Sequence, residues 1–346
     1  MADINRITEL VGEQDFENAR LLIEPALKEE PENIELLKLA GLVEVNTCEW
    51  TNARSHFETV DKFKPDDATA WFYLASCYDK LGDFISAKNA YINVIKIRPE
   101  YIEAYQSLCV VLMKLNDSKD AIKYAIMANA VSSENYLFDF VIGTAYMKIK
   151  EFEKSIEPFK SAISKAPNNI GNYNSLGTAY MATGKSEEAI KCYKKALELN
   201  PESPMAYFNL GSAYQIQQNH NEACTYLQKA CELDDEDEGF KTAFAMSLVK
   251  LGKYHEAADL YKSLLIQHPE KENYKYNLVT CYEAMGELQT AIKMLEGMVY
   301  VNQKFILPAQ KLANLYIKTN QLSKAKDIYD NILLKNNASA ETLHQY

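Results

Sequence analysis

Gly184-Lys185-Ser186 is the part of the sequence closest to a catalytic motif, because a phosphate-binding loop ends in these residue types. Such a loop also requires a glycine five residues before Gly184, and position 179 is alanine. A phosphate loop joins a strand to a helix, and no strand is predicted before Gly184. The sequence therefore predicts that these three residues form a turn without a nucleotide.

Other arrangements that could do chemistry are equally incomplete. The sequence contains no G-x-S-x-G, H-E-x-x-H or G-x-G-x-x-G motif. Its five histidines are scattered, so we expect no metal site built from them. The seven cysteines form no C-x-x-C pair, which favours reduced and packed thiols. We therefore predict no catalytic residue, metal or cofactor, and no enzyme activity unless a partner supplies the chemistry.

Charge and hydropathy exclude further classes. The chain has 346 residues and a net charge of −11, which disfavours binding to nucleic acid because phosphate backbones require clustered Lys and Arg. No apolar stretch approaches the roughly 18 residues of a membrane span, so no membrane association is expected. The sequence begins with acidic residues and lacks the pattern of a secretory signal, which predicts a cytoplasmic protein.

A small residue recurs every 34 positions, and this period predicts the elements that position everything else. The residues are Ala19, Ala53, Ala87, Ala121, Ser155, Ala189, Ala223, Ala257, Ala291 and Ala325. Two apolar stretches with helical spacing fill each unit, so each unit is predicted to be a helical hairpin with a small residue where the helices cross. This predicts twenty helices, with turns near residues 82, 116, 150, 184, 218 and 252.

The unit resembles the tetratricopeptide repeat, and residues 71–99 match its pattern most fully. The matching residues are Trp71, Leu74, Ala75, Tyr78, Gly82, Ala87, Tyr91 and Pro99. The resemblance implies an all-α fold, a right-handed α-solenoid or superhelix of about ten hairpins. Its units would be 1–33, 34–67, 68–101, 102–135, 136–169, 170–203, 204–237, 238–271, 272–305 and 306–339, forming one solenoid over 1–339. Residues 340–346 would be a tail or the start of a truncated capping helix.

The resemblance also implies a concave groove lined by positions 5, 9 and 12 of the first helices. We predict that a partner contacts Phe72, Ser76, Gln106, Met113, Phe140, Thr144, Met147, Asn174, Thr178, Met181, Phe208, Ser212, Tyr276 and Thr280. Aromatic, thioether and hydroxyl side chains form an adaptable surface with little charge. The alternative is that some of these side chains pack against neighbouring helices. Lysines at position 13, such as Lys114 and Lys148, are expected to line the edge of the groove.

These features predict a non-catalytic scaffold or adaptor that binds a peptide or protein segment in its groove. The alternative is a subunit or regulatory arm of a larger assembly, possibly an enzyme complex, that docks or self-associates through the last repeat. Leu312, Tyr316 and Tyr329 would then be uncovered and free to pair. The chain is expected to be a monomer or an end-to-end homodimer. The acidic run 234–238 is interpreted as a solvated loop that caps the next helix, or alternatively as a docking point for a basic segment.

Overall fold

A computed structural model describes residues 3–301 and 306–333. These two ranges contain twenty α-helices and no strand, as predicted. The helices are α1 (Ile4–Gly12), α2 (Phe16–Glu29), α3 (Ile34–Asn46), α4 (Trp50–Phe63), α5 (Ala68–Lys80), α6 (Phe84–Ile97), α7 (Ile102–Lys114), α8 (Ser118–Val131), α9 (Tyr136–Lys148), α10 (Phe152–Lys165), α11 (Ile170–Ala182), α12 (Ser186–Leu199), α13 (Pro204–Ile216), α14 (His220–Leu233), α15 (Glu238–Lys250), α16 (Tyr254–Gln267), α17 (Glu272–Ala284), α18 (Leu288–Val301), α19 (Ile306–Lys318) and α20 (Leu322–Ile328). A π-helical turn follows at Tyr329–Leu333.

The turns between the two helices of a repeat lie where the sequence predicts them. Each predicted turn contains a residue with positive φ, the conformation that commonly ends a helix. The residues are Gly82, Asn116, Lys150, Gly184, Gln218 and Gly252, with φ angles of 82°, 57°, 62°, 76°, 60° and 76°. Glycine adopts this conformation without strain, whereas other residues pay about 1–2 kcal/mol. The turn is therefore fixed by the geometry of the hairpin and not only by its local sequence.

The helix crossings explain the 34-residue period. All ten small residues from Ala19 to Ala325 are fully buried, with 0% of their surface exposed. The first helices also carry small residues at the crossings. A Cβ atom added to Gly41 or Gly143 would lie 2.7 Å from the ring of Phe57 or Phe159, and one added to Gly211 would lie 2.6 Å from Leu227. Because real Cβ contacts are longer than 3.0 Å, these glycines are required by the close approach of the helices.

The chain divides into two compact units, Met1–Thr183 and Gly184–Tyr346. The first unit contains α1 to α11 and the second contains α12 to α20. Within each unit, every helix packs against the next one along the chain. The division falls in the turn of the sixth repeat. The predicted fold class, an all-α solenoid of helical hairpins, is confirmed, and its continuity as one solenoid over 1–339 stays a prediction.

The last repeat differs from the expectation that its apolar residues are uncovered. Leu312, Tyr316 and Tyr329 are only 1%, 4% and 3% exposed and belong to a buried cluster of the second unit. These three side chains are therefore part of the core and do not present a surface for pairing, so this detail of the prediction is wrong. The predicted tail at 340–346 lies outside the described residues.

Candidate functional site

Ten of the fourteen predicted groove residues lie in the first unit, on four successive first helices. They are Phe72 and Ser76 on α5, Gln106 and Met113 on α7, Phe140, Thr144 and Met147 on α9, and Asn174, Thr178 and Met181 on α11. Helix α9 contacts both α7 and α11, so the residues on these three helices share one surface. None of the ten is fully buried. We call this set of ten residues the first-helix face.

The other four predicted residues lie in the second unit. Phe208 and Ser212 belong to α13, and Tyr276 and Thr280 belong to α17. All four are half-buried. Helix α15, which carries none of the predicted residues, separates the two pairs along the chain. The second unit therefore presents a sparser version of the first-helix face.

The three phenylalanines of the prediction have packing partners within the fold. The ring of Phe72 stacks on Tyr101 with centroids 5.0 Å apart. Phe140 meets the buried Phe159 edge-on at 5.8 Å, and Phe208 lies 5.0 Å from Phe240 in a tilted arrangement. The alternative of packing against neighbouring helices therefore applies to these three rings. Their exposed edges remain available to a ligand, because all three are only half-buried.

Four serine and threonine hydroxyls among the predicted groove residues donate hydrogen bonds within their own helices. Thr144 Oγ1 donates to the carbonyl of Phe140 at 2.8 Å, and Ser76 Oγ lies 3.0 Å from the carbonyl of Phe72. Thr178 and Thr280 make the same bond to the carbonyl four residues earlier. Ser76 Oγ also lies 3.1 Å from the hydroxyl oxygen of Tyr91, so it has a second partner within the fold. Since the proton of Thr144 serves the helix, its oxygen is suited to accept a hydrogen bond from a ligand N–H.

Asn174 is the polar residue of the face that the fold does not explain. Its Oδ1 atom has no access to solvent and no hydrogen-bond partner. An unpaired buried polar atom costs about 1–3 kcal/mol. The asparagine therefore does not contribute to stability through this atom.

One exposed apolar side chain of the same surface pattern was missed from sequence. Met246 on α15 occupies position 9, where Ser76 and Thr144 stand in other repeats, and it is 50% exposed. Val110 on α7 holds the same position, which is expected to line the groove, and it is 52% exposed. The repeat position was sufficient to find Met246.

Two of the lysines expected to line the edge of the groove make contacts between successive repeats. Lys114 Nζ lies 2.7 Å from Asp79 Oδ1 of the preceding repeat. Lys148 Nζ donates to the carbonyl of Met113 at 3.0 Å and to Asn116 Oδ1 at 3.2 Å. These contacts satisfy the ammonium groups within the fold. The side chains are therefore best explained as links between repeats.

The acidic run caps a helix, as interpreted from sequence. Asp237 Oδ1 accepts a hydrogen bond from the backbone N–H of Phe240 at 2.8 Å, at the start of α15. Glu238 accepts hydrogen bonds from Lys271 and Tyr274, and the bond from Lys271 is the main cause of its lowered pKa. At least these two carboxylates are engaged within the second unit.

Several residues whose types could do chemistry lie in turns or in the buried core. Gly184 lies in a turn with φ of 76°, and Lys185 precedes the first residue of α12. Burial raises the pKa of Cys77 and of Cys109 to about 12, which keeps both thiols protonated. Over residues 3–301 and 306–333, no three His, Cys, Asp or Glu side chains are grouped as metal ligands. No helix in these ranges has both the length and the apolar character needed to span a bilayer.

Comparisons with known proteins agree with this architecture. The family described as TPR repeat matches residues 177–218, and families described as tetratricopeptide repeat match 248–310 and, separately, 68–101 and 206–237. PilF from Pseudomonas aeruginosa is 19% identical with a TM-score of 0.51, over 60% of this chain and 94% of PilF. MamA from Desulfovibrio magneticus RS-1 is 19% identical with a TM-score of 0.47, over 49% of this chain and 97% of that one. YrrB, described as a TPR protein with an unusual peptide-binding site, is 19% identical with a TM-score of 0.47. The match covers 54% of this chain and 96% of YrrB.

The similarity to PilF supports the fold, and the family matches fall in both compact units. The matched segments coincide with repeats whose crossing residues, such as Ala87, Ala223 and Ala257, are fully buried. The chain contains tetratricopeptide repeats at residues 68–101, 177–237 and 248–310.

Proposed function

We propose that this protein is a non-catalytic scaffold that binds a segment of a partner protein along the first-helix face. Tetratricopeptide repeats are generally protein-interaction modules, which supports the general class. The observation that carries the finer proposal is the row of partly exposed side chains on α5, α7, α9 and α11. Apolar side chains with flexible thioethers suit a ligand with apolar anchors.

The polar atoms of the face support a ligand with an exposed backbone. The hydroxyl of Thr144 uses its proton within the helix and so offers acceptor capacity to a ligand. An extended peptide supplies backbone N–H groups that would fill that capacity. The face thus combines apolar anchor sites with acceptors for a peptide backbone.

The proposed partner is a protein or peptide and not a nucleic acid or a membrane, because the chain is acidic overall. On the same sequence arguments, we propose a cytoplasmic location and a monomer or an end-to-end homodimer.

A peptide selection tests the proposal. Peptides are selected on the wild-type protein from a random library, and their dissociation constants are measured by fluorescence polarisation. Val110→Asp places a charge on the face at a 52% exposed apolar residue, and we expect at least tenfold weaker binding. Ile126→Asp on α8 is the matched control, because Ile126 is 54% exposed on a second helix. Both variants are expected to keep wild-type helicity.

Equal binding by the wild type and the Val110→Asp variant would contradict the proposal. So would a loss that is as large for Ile126→Asp, since the ligand would then lie on the second helices. A further variant, Met147→Ala, leaves charge unchanged and is expected to weaken binding about fivefold or more.

A further inference from the structure

A pocket of about 290 Å³ lies between α2, α3 and α4 in the first unit. The apolar part of its wall comes from Ile23 and Leu27 on α2 and from Ala40 and Val43 on α3. Its charged part comes from Arg20, Glu24, Lys28, Glu44 and Glu49, together with Asn52 and His56. None of the fourteen predicted groove residues lines it. The pocket is therefore separate from the first-helix face.

The repeat pattern explains why a pocket opens here. In the third repeat, position 11 is Tyr78, whose hydroxyl donates to Glu58 at position 25 of the preceding repeat, at 2.9 Å. In the seventh repeat, the equivalent Tyr214 lies beneath Lys194, with the ammonium 5.9 Å from the ring centroid. In the second repeat, position 11 is Glu44. A carboxylate replaces a ring, which leaves unfilled space between the helices.

The replacement also places two acidic residues at the two positions that Glu58 and Tyr78 occupy in the following pair of repeats. Glu24 lies 34 residues before Glu58, so the pair that corresponds to Glu58 and Tyr78 is Glu24 and Glu44. The other pairs in the described repeats are Glu58–Tyr78, Ile92–Leu112, Ile126–Tyr146, Lys160–Tyr180, Lys194–Tyr214, Gln228–Leu248, Lys262–Tyr282 and Glu296–Tyr316. Among these described repeats, only the pocket pairs two carboxylates. Both carboxylates line the pocket.

The charges around the pocket favour a cation. Glu44 is only 14% exposed, and its partner is His56 Nδ1 at 2.8 Å. The guanidinium of Arg20 is held at the other side by Glu49 and Thr47. The hydrogen bond to Glu49 is the main cause of the raised pKa of Arg20, and Glu44 and Glu24 raise it further. Two basic side chains, Arg20 and Lys28, thus face three carboxylates, and the acidic groups are in excess by one. Residues 1–33 contain nine acidic and three basic residues, so the surrounding repeat has a net charge of 3 − 9 = −6.

We propose that this pocket binds a basic side chain, arginine or lysine, of a partner protein. The aliphatic stem would lie against Ile23 and Leu27, and the cationic group would reach Glu44. Arginine and lysine combine an apolar stem with a charged end, which matches an apolar wall with a carboxylate at its depth. An anionic ligand would meet the excess of carboxylates, and a purely apolar one would remove water from Glu44 without replacing its hydrogen bonds.

The test is a titration of the full-length ¹⁵N-labelled protein followed by NMR. The probes are N-acetyl-arginine methylamide, N-acetyl-lysine methylamide and N-acetyl-citrulline methylamide, the last being a neutral isostere of the first. We expect saturable shifts of α2, α3 and α4 amides with at least one basic probe, with a dissociation constant of about 1–10 mM for so small a ligand. Citrulline is expected to bind at least tenfold more weakly.

Three variants make the result decisive. Glu44→Gln removes the charge and is expected to weaken the basic probe at least tenfold. Glu44→Tyr restores the residue type of the other repeats, so it is expected to fill the pocket and abolish binding while the fold is kept. Glu35→Gln makes the same charge change on an exposed residue of α3 outside the pocket and is expected to bind as the wild type does.

The proposal is overturned by an absence of saturable shifts with either basic probe up to 50 mM, roughly five times the weakest expected constant. Equal affinity for citrulline, or unchanged affinity in the Glu44→Tyr variant, also overturns it. If Glu44→Gln loses helicity, the Glu44→Tyr variant decides alone. None of these outcomes bears on the first-helix face, because the pocket shares no residue with it.

Discussion

Gly143 offers a direct test of how closely the helices of a repeat approach one another. A Cβ atom at this position would meet three atoms of the Phe159 ring at 2.7–2.8 Å. Phe159 is 1% exposed and its ring also meets Phe140, so it has little room to move. Overpacking of this kind costs roughly 1–3 kcal/mol. Against this stands a gain of about 1 kcal/mol, because alanine favours the helix more than glycine does.

Gly297 on α18 provides the matched control. It is also a helical glycine, and an added Cβ atom would meet nothing within 4 Å. Gly297→Ala should therefore show only the propensity gain of about 0.5–1 kcal/mol. The difference between the two variants isolates the steric cost, since the propensity gain is common to both. We expect Gly143→Ala to be less favourable than Gly297→Ala by about 1–3 kcal/mol.

Hydrogen exchange measured by mass spectrometry suits this comparison, because repeat proteins open locally and need not unfold in one step. After the helix gain is subtracted, a net cost of about 0–2 kcal/mol corresponds to an increase of up to roughly 30-fold in exchange of the amides in α9 and α10 relative to the wild type. Exchange in α18 should slow by a few-fold in the Gly297→Ala protein. If both substitutions slow local exchange equally, the contact of Gly143 with Phe159 is not as close as the structure shows.

Two further predictions concern charge and thiols. Asp117→Asn keeps an N-cap residue but breaks the 2.6 Å ion pair with Lys88, and we expect a loss of about 0.5–1 kcal/mol at pH 7, measured by urea unfolding. The hydrogen bond from Lys88 lowers the pKa of Asp117 below its ordinary 3.8, so the difference should shrink as the pH falls below about 4 and disappear once Asp117 is protonated in the folded protein; a constant difference down to pH 2 would contradict it. With Ellman's reagent at pH 8, the exposed Cys48 should react rapidly. Cys77 and Cys109 should react only on unfolding, because burial raises the pKa of each thiol to about 12. Rapid modification of either buried cysteine in the Cys48→Ser protein would refute this.

The elements of the fold could be predicted from sequence because the constraint repeats. Ala189 alone is an unremarkable alanine, but ten small residues at one spacing identify a crossing position. The turns were predictable for the same reason, even at Lys150 and Gln218, where the residue type gives no turn signal. A periodic sequence thus supplies the comparison that a single segment lacks.

The contacts of individual side chains could not be predicted in this way. Position 5 places Phe72 on a first helix, but only the structure shows that its ring stacks on Tyr101. Position 13 places Lys114 at the end of a first helix, and only the structure pairs it with Asp79. Such contacts depend on the residues of the neighbouring repeat, which vary from one unit to the next. The sequence therefore assigns a residue to a surface more readily than to a partner.

The most informative residues for function are those that the shared framework leaves unexplained. A buried alanine at a crossing serves every repeat equally, so it carries no information about a ligand. Glu44 is different, because its position holds an aromatic ring or leucine in the later repeats and a pocket opens where it replaces that side chain. Asn174 is different as well, because its buried amide oxygen has no partner within the fold. The unpaired oxygen of Asn174 reduces stability in the free protein, whereas Glu44 is already paired with His56 and would gain a second partner from a cationic ligand.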